Sequence, residues 1–377
     1  MPDQAIFDRQ MMARALQLAQ RGLYSTEPNP RVGCVLTRAD HIVGEGWHVR
    51  AGEGHAEVNA LAMAGEQARG ATAYVTLEPC SHTGRTPPCA DALVKAGVSR
   101  VVVAMQDPNT QVSGQGLARL HAAGIAVEVG VLESEARALN PGFIKRMQSG
   151  MPFVRVKLAM SLDGRTAMAS GESQWITGPD ARADVQRLRA RSGAVISGAD
   201  AVLQDNSALT VRADELGLPA EEAAAAALRQ PLRVLVDGRL RVPLENRFFQ
   251  QNWPALVVCK QLRGRVQDYG FAGADLLTLP NADQTQVDLA ALLRELAERG
   301  CNEVLVESGA GLAGAFIQAG LVDELVVYMA PKLLGSSARA LLDLPLELMA
   351  EAVQLEIMDM RAIGADWRLT ARTISPS

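Results

Sequence analysis

Residues 72–105 read TAYVTLEPCSHTGRTPPCADALVKAGVSRVVVAM, and their pattern decides the fold. TAYVTLEP (72–79) and SRVVVAM (99–105) are apolar, β-branched runs of strand length. Between them CADALVKAG (89–97) has helical apolar spacing and a glycine stop at Gly97. Two strands joined through a helix make a parallel βαβ unit. Working outward, VGCVLT (32–37) and IAVEVGV (125–131) predict further strands, while AEVNALAMAG (56–65) and GLARLHAAG (116–124) predict helices. The opening MPDQAIFDRQMMARALQLAQRG (1–22) reads as an amphipathic helix. The expectation is an α/β fold with a largely parallel sheet covered by helices.

The chain has 377 residues, too many for one ordinary core, so two domains are expected. LNPGFIKRMQSGMPFVRVKLAM (139–160) passes through Ser149, Gly150 and Pro152 into a new strand, which places the domains at 1–149 and 150–377. In the second part strands are predicted near 154–160, 194–198, 232–238, 255–260, 302–308 and 324–330, with a late one at 367–374. Helices are predicted near 179–192, 289–300 and 312–320. EEAAAAALRQ (221–230) reads as an alanine-rich surface helix or loop, and the two halves show no internal repeat.

A net charge of −5 and 4% aromatic residues disfavour the basic grooves and stacking rings of a nucleic-acid surface, which leaves small molecules as the expected partners. No apolar run is long enough for a bilayer, and the start lacks the layout of a secretory signal. The expected location is the cytoplasm, where close cysteines more often bind metal or do chemistry than form a bridge. The five cysteines are an odd number, which also argues against a disulfide framework.

Cys80 and Cys89 stand nine positions apart, and GHAEVNA (54–60) upstream places His55 and Glu57 two apart at a helix start. H-x-E followed by P-C and a second cysteine is the pattern of the zinc deaminases of nucleobases. One imidazole and two thiolates supply three corners of a tetrahedron for Zn2+, leaving the fourth for a water that the metal makes acidic. Glu57 is not needed as a ligand and is placed to carry protons. Cys89 follows Pro87-Pro88 at a helix start, where unpaired N–H groups favour a thiolate. Two other readings stand beside this one: a closed structural zinc completed by His82 or His48, and two inert buried thiols. In the second part Gly309, Gly311 and Gly314 have G-x-G-x-x-G spacing between a strand and a helix, as a pyrophosphate would need or as tight packing would. Arg189 and Arg212 have the paired donors that grip a phosphate.

PNPRVGCV (28–35), HAEVNAL (55–61) and EPCSHTGRTPPCADALVKAGV (78–98) resemble the deaminase half of the bifunctional riboflavin-biosynthesis enzymes, in which a pyrimidine deaminase is joined to a reductase. The run from Lys157 to Arg212 resembles the reductase half. The resemblance implies a cytidine-deaminase-like α/β/α sandwich followed by a dihydrofolate-reductase-like domain that uses NADPH. It implies zinc on His55, Cys80 and Cys89, Glu57 as proton shuttle, Asn29 and His82 as base contacts and Arg85 as a phosphate contact. The long loop between the cysteines, normal in that family, would shape a pocket for a phosphoribosylated pyrimidine. For the dinucleotide it implies Ala159, Trp175, Asp205 and the loop Gly309, Ala310, Gly311, Leu312, Ala313, Gly314 and Ala315. Ala201 and Gly238 stand at two further cofactor positions, where relatives carry hydroxyl side chains. For the sugar phosphate it implies Ser173, Arg189, Leu209, Arg212 and Glu307. The expected reactions are deamination of 2,5-diamino-6-(5-phosphoribosylamino)pyrimidin-4(3H)-one and then reduction of its ribosyl group to ribityl. A homo-oligomer is compatible with this reading. The alternative is a nucleoside, tRNA or DNA base deaminase carrying an unrelated nucleotide-binding domain.

Overall fold

A computed structural model describes residues 2–81, 87–110, 112–262 and 266–374. They form two compact units, Met1–Met151 and Pro152–Ser377.

The first unit opens with helix α1 (Pro2–Gln20), strands β1 (Gly33–Arg38) and β2 (His41–Trp47), and helix α2 (Ala56–Ala64). β3 (Thr72–Val75), α3 (Cys89–Ala96), β4 (Arg100–Val103), α4 (Gln115–Ala122) and β5 (Ala126–Val129) follow. Helices α5 (Glu133–Leu139) and α6 (Pro141–Ser149) close the unit. The sheet runs β2-β1-β3-β4-β5, with β3, β4 and β5 parallel and β1 antiparallel to both its neighbours. Strand residues alternate between two cores. Cys34, Leu36, Ala73, Val75, Val101 and Val103 meet α2, α3 and α4 on one face. Val35, Tyr74 and Val102 meet α1 and Ala136 of α5 on the other. The unit is therefore an α/β/α sandwich.

Strand β2 departs from the expectation, because HIVGEGW carries two glycines that weaken any strand signal. Those glycines are what let α2 lie on the sheet. A Cβ on Gly44 would fall 2.3 Å from the Ala60 carbonyl oxygen, and one on Gly46 would fall 2.4 Å from that of Ala56. Close helix–strand contact takes the place of strand propensity there.

The second unit contains β6 (Phe153–Ser161), β7 (Arg165–Ala167), α7 (Pro179–Arg191), β8 (Ala194–Gly198), α8 (Ala199–Asp205) and α9 (Ala220–Ala227). Next come β9 (Leu232–Val236), β10 (Ala255–Cys259), α10 (Val266–Phe271), β11 (Ala274–Thr278) and α11 (Leu289–Glu298). β12 (Glu303–Glu307), α12 (Ala310–Gln318), β13 (Glu324–Ala330), β14 (Arg339–Ala340), β15 (Leu355–Ile363) and β16 (Asp366–Thr373) complete it. Nine strands form one sheet in the order β11-β10-β9-β8-β12-β6-β13-β16-β15, parallel from β11 to β13 and antiparallel beyond. The alanine-rich run forms α9, with Ala223 and Ala226 buried. β11 and β15 were not among the expected strands. β15 is exposed along nearly its whole length and so lacks the one-sided apolar alternation that reveals a half-buried strand. The sheet's parallel strands end beside the starts of α8 and α12, which is where open α/β sheets leave a crevice. Among the described residues no helix is long and apolar enough to cross a membrane.

Candidate active sites

His55 is the residue before α2, in extended backbone, and Glu57 sits in that helix's first turn. Cys89 is the first residue of α3, and Cys80 lies on the loop after β3. The sheet and these two helix starts bring the four side chains together. His55 Nδ1 is 3.3 Å from Cys89 Sγ and 3.6 Å from Cys80 Sγ. The three ligand atoms lie within 4.8 Å of one another, and they are the one group among the described residues able to hold a metal ion. Soft thiolates with an imidazole are the donor set zinc prefers, and three protein ligands leave a position open, so the residues fit the ion.

The backbone N–H of Cys89 donates to Cys80 Sγ at 3.3 Å, so the donor at the helix start serves Cys80, whereas the sequence predicts that it favours the Cys89 thiolate. Hydrogen bonds from the Cys89 thiol, from His55 and from that N–H hold the Cys80 thiol down at about 4, against its burial. Beside the Cys80 thiolate, the Cys89 thiol is pushed up. Glu57 is 3% exposed. Burial first, and the Cys80 charge with it, pushes its carboxyl up to about 7.

His48 is not placed as a fourth ligand. Its Nε2 is 3.0 Å from Asn29 Nδ2 and its Nδ1 is 3.2 Å from the Gly54 carbonyl oxygen, while its ring meets His55 edge-on at 5.2 Å between centroids. Burial lowers its pKa, in keeping with a neutral ring that donates from Nδ1 and accepts from Asn29. Glu78, just before Pro79 and Cys80, was also not anticipated. Its buried carboxylate accepts from the N–H groups of Asp107 (3.1 Å), Gly114 (3.0 Å) and Gly116 (2.9 Å), tying the cysteine loop to the start of α4. His82 and Arg85 lie outside the described residues.

The second unit holds a cleft of about 1050 Å³. Ala159, Ser173, Trp175, Ala201, Asp205, Leu209, Arg212 and Glu307 line it, with Arg189 and residues 309–312. Gly238, Ala313, Gly314 and Ala315 are not among its lining residues. The glycine pattern thus divides: Gly309 and Gly311 face the cleft, whereas a Cβ on Gly314 would fall 2.1 Å from the Asp343 carbonyl oxygen. Trp175 is 63% exposed, with the Arg182 guanidinium 4.6 Å from its ring centroid. Ser173 Oγ donates to Asp205 at 3.3 Å.

Arg189 donates twice to Glu307, at 2.5 and 2.9 Å, and once to the Thr210 carbonyl at 3.1 Å, so each of its three nitrogens is engaged inside the protein. Arg212 pairs with Glu215 at the rim. Lys157 also lines the cleft. Asp163 accepts from Ser161 and from the N–H groups of Leu334 and Gly335. Burial lowers the Lys157 pKa, opposed by Glu307 and Asp205.

Residues 6–105 match the family described as the cytidine and deoxycytidylate deaminase zinc-binding region, and residues 152–369 match the RibD C-terminal domain. The riboflavin biosynthesis protein RibD of Escherichia coli (strain K12) is 54% identical, over 95% of this chain and 97% of its own. The Haemophilus influenzae protein of the same name is 51% identical over 95% of both chains. A solved Acinetobacter baumannii RibD superposes with a TM-score of 0.90 at 48% identity, covering 98% of this chain and all of its own. A Thermotoga maritima diaminohydroxyphosphoribosylaminopyrimidine deaminase/5-amino-6-(5-phosphoribosylamino)uracil reductase superposes with a TM-score of 0.85 at 31% identity, covering 98% and 100%. An α/β/α deaminase-like unit and a reductase unit, in that order and matched end to end, have one assignment: the chain belongs to the RibD family of bifunctional deaminase–reductases of riboflavin biosynthesis.

Proposed function

We propose that the first unit hydrolyses the exocyclic amine of 2,5-diamino-6-(5-phosphoribosylamino)pyrimidin-4(3H)-one, and that the second reduces the ribosyl group of the product to ribityl with NADPH. The observation that carries the first half is the meeting of His55, Cys80 and Cys89 beside a buried, non-ligating Glu57. Zinc, held by those three residues, supplies a Lewis acid that makes a water acidic at neutral pH. Glu57, buried beside the three ligands and not one of them, would take a proton from that water and pass it to the ring nitrogen, then in a second transfer carry a proton to the departing amine. Asn29, fixed by His48, presents an amide to the base.

In the second unit NADPH, when bound, supplies a hydride. Gly309 and Gly311 at the start of α12 leave room for its phosphates against the helix N-terminus. Arg189 fixes the Glu307 carboxylate towards the sugar, and Arg212 at the rim meets the substrate phosphate. Opening the sugar ring requires a proton at the ring oxygen, and Lys157, which lines the cleft together with Glu307 and Asp205, is its source.

The test is Glu57→Gln. It should keep one zinc per chain and lose ammonia release by about 10²- to 10⁴-fold. NADPH oxidation on previously deaminated substrate should persist. Normal ammonia release from this variant removes Glu57 from the mechanism.

A further inference from the structure

Asn140 stands beyond the matched stretch 6–105, at the junction of α5 and α6, and is 4% exposed. It occupies the N-cap position of α6, yet its side chain makes no cap hydrogen bond there. The amide is committed elsewhere. The Arg31 N–H donates to Asn140 Oδ1 at 2.8 Å, and Asn140 Nδ2 donates to the Arg31 carbonyl at 2.9 Å. Arg31 Nη1 reaches back to the Leu139 carbonyl at 2.8 Å. One side chain thus satisfies both main-chain polar groups of a buried residue, as a neighbouring strand would.

The clasped residue lies between two others that meet His48. Two positions before it is Asn29, flanked by Pro28 and Pro30, with its N–H donated to the Thr26 carbonyl at 2.8 Å. One position after it is Val32, whose carbonyl accepts the His48 N–H at 2.9 Å. The side chains of Asn29 and His48 then meet at 3.0 Å, and the His48 ring lies edge-on to His55. A single buried amide therefore fixes the backbone from which both sides of this pair are hung.

We propose that Asn140 is a positioning residue of the deaminase: it sets the Asn29–His48 pair against the His55–Cys80–Cys89 corner and so shapes the pocket that receives the pyrimidine. This rests on the deamination proposed above. Glu57→Gln separates the two ideas, since it tests the reaction without touching the clasp.

The experiment uses the full-length, zinc-loaded chain carrying Asn140→Ala, Asn29→Ala or both. Asn140→Ala should keep one zinc per chain and an unaltered rate of NADPH oxidation on deaminated substrate. Its kcat/KM for ammonia release should fall about 10- to 100-fold, mostly through KM, as expected when a contact shifts by about an ångström. In the Glu57→Gln background, the dissociation constant of the intact substrate should rise by a similar factor when Asn140→Ala is added. The double variant should be no worse than Asn29→Ala alone, because Asn140 acts through that residue. Losses that multiply in the double variant, or an unchanged KM, would overturn the proposal. If Asn140→Ala sheds its zinc, Asn140→Asp decides by the same cycle, since it keeps the acceptor for the Arg31 N–H and lacks the donor.

Discussion

At the scale of the residue, the two sites use charge in opposite ways. Around Cys80 donors gather on one sulfur, and Glu57 beside it is raised by burial, so the corner separates a group ready to bind a cation from one ready to carry a proton. In the reductase cleft two arginines differ in kind. Arg189 is enclosed and bound to Glu307, whereas the Arg212 side chain is 39% exposed. Arg212→Ala should therefore raise KM for the phosphorylated substrate about 10-fold or more with kcat nearly unchanged, as loss of a charged hydrogen bond implies. Steady-state NADPH oxidation measures this, and unchanged kinetics would take Arg212 out of the site. On the proposed assignment of Glu307 to the sugar, Glu307→Gln should instead lower kcat for NADPH oxidation, since Arg189 holds that carboxylate in the cleft.

At the scale of the element, α2 carries Glu57 and is capped by His55, and its seat on β2 depends on glycine. A Cβ at Gly46 meets the Ala56 carbonyl, which is main chain and cannot swing aside. Gly46→Ala should cost about 1–3 kcal/mol, as overpacking does. It should also weaken zinc retention, read by denaturation and by competition with a chelator; an unchanged Tm with full zinc would contradict this. Helix α2 and the grouping of His55, Cys80 and Cys89 were legible in the sequence because H-x-E lies within one turn and the cysteines stand between a recognisable strand and helix. The seat itself was not legible, because a glycine strand looks like a loop until the helix that requires it is in place. The bracing role of His48, named from sequence only as a possible ligand, and that of Glu78 were hidden for a related reason. Each acts through partners far along the chain or through main-chain N–H groups, and no local spacing marks such contacts.

At the scale of the whole molecule, each unit has its own site, and metal should matter to one of them. Removing zinc with a chelator should abolish ammonia release and leave NADPH oxidation on deaminated substrate intact; loss of both together would contradict the division of labour. The first unit also carries a buried ion pair that links stability to pH. Burial alone would raise the Asp8 carboxyl, but hydrogen bonds from Arg100, Tyr74 and Gln4 outweigh it and bring it from 3.8 down to about 2. The stability it contributes is therefore complete above pH 3.8 and is lost as pH falls through about 2. Arg100→Met leaves Asp8 buried without its cation. It should destabilise the unit by about 3 kcal/mol at neutral pH, and the deficit should shrink on acidification as Asp8 takes up a proton. Denaturant titrations at pH 7 and pH 4 would show this, and a deficit independent of pH would refute it.

The α/β class and most strands were legible, since parallel strands buried on both faces read as continuous apolar runs. The antiparallel edges of both sheets were not, because β2 and β15 show too little burial contrast to mark them. The most direct measurement is X-ray absorption at the zinc edge of the purified chain, with metal content determined alongside. The expected result is one zinc per chain with two sulfurs at about 2.3 Å, one imidazole nitrogen and one further light atom. A spectrum with two imidazoles or a different number of sulfurs, or a chain that binds no zinc, would contradict it.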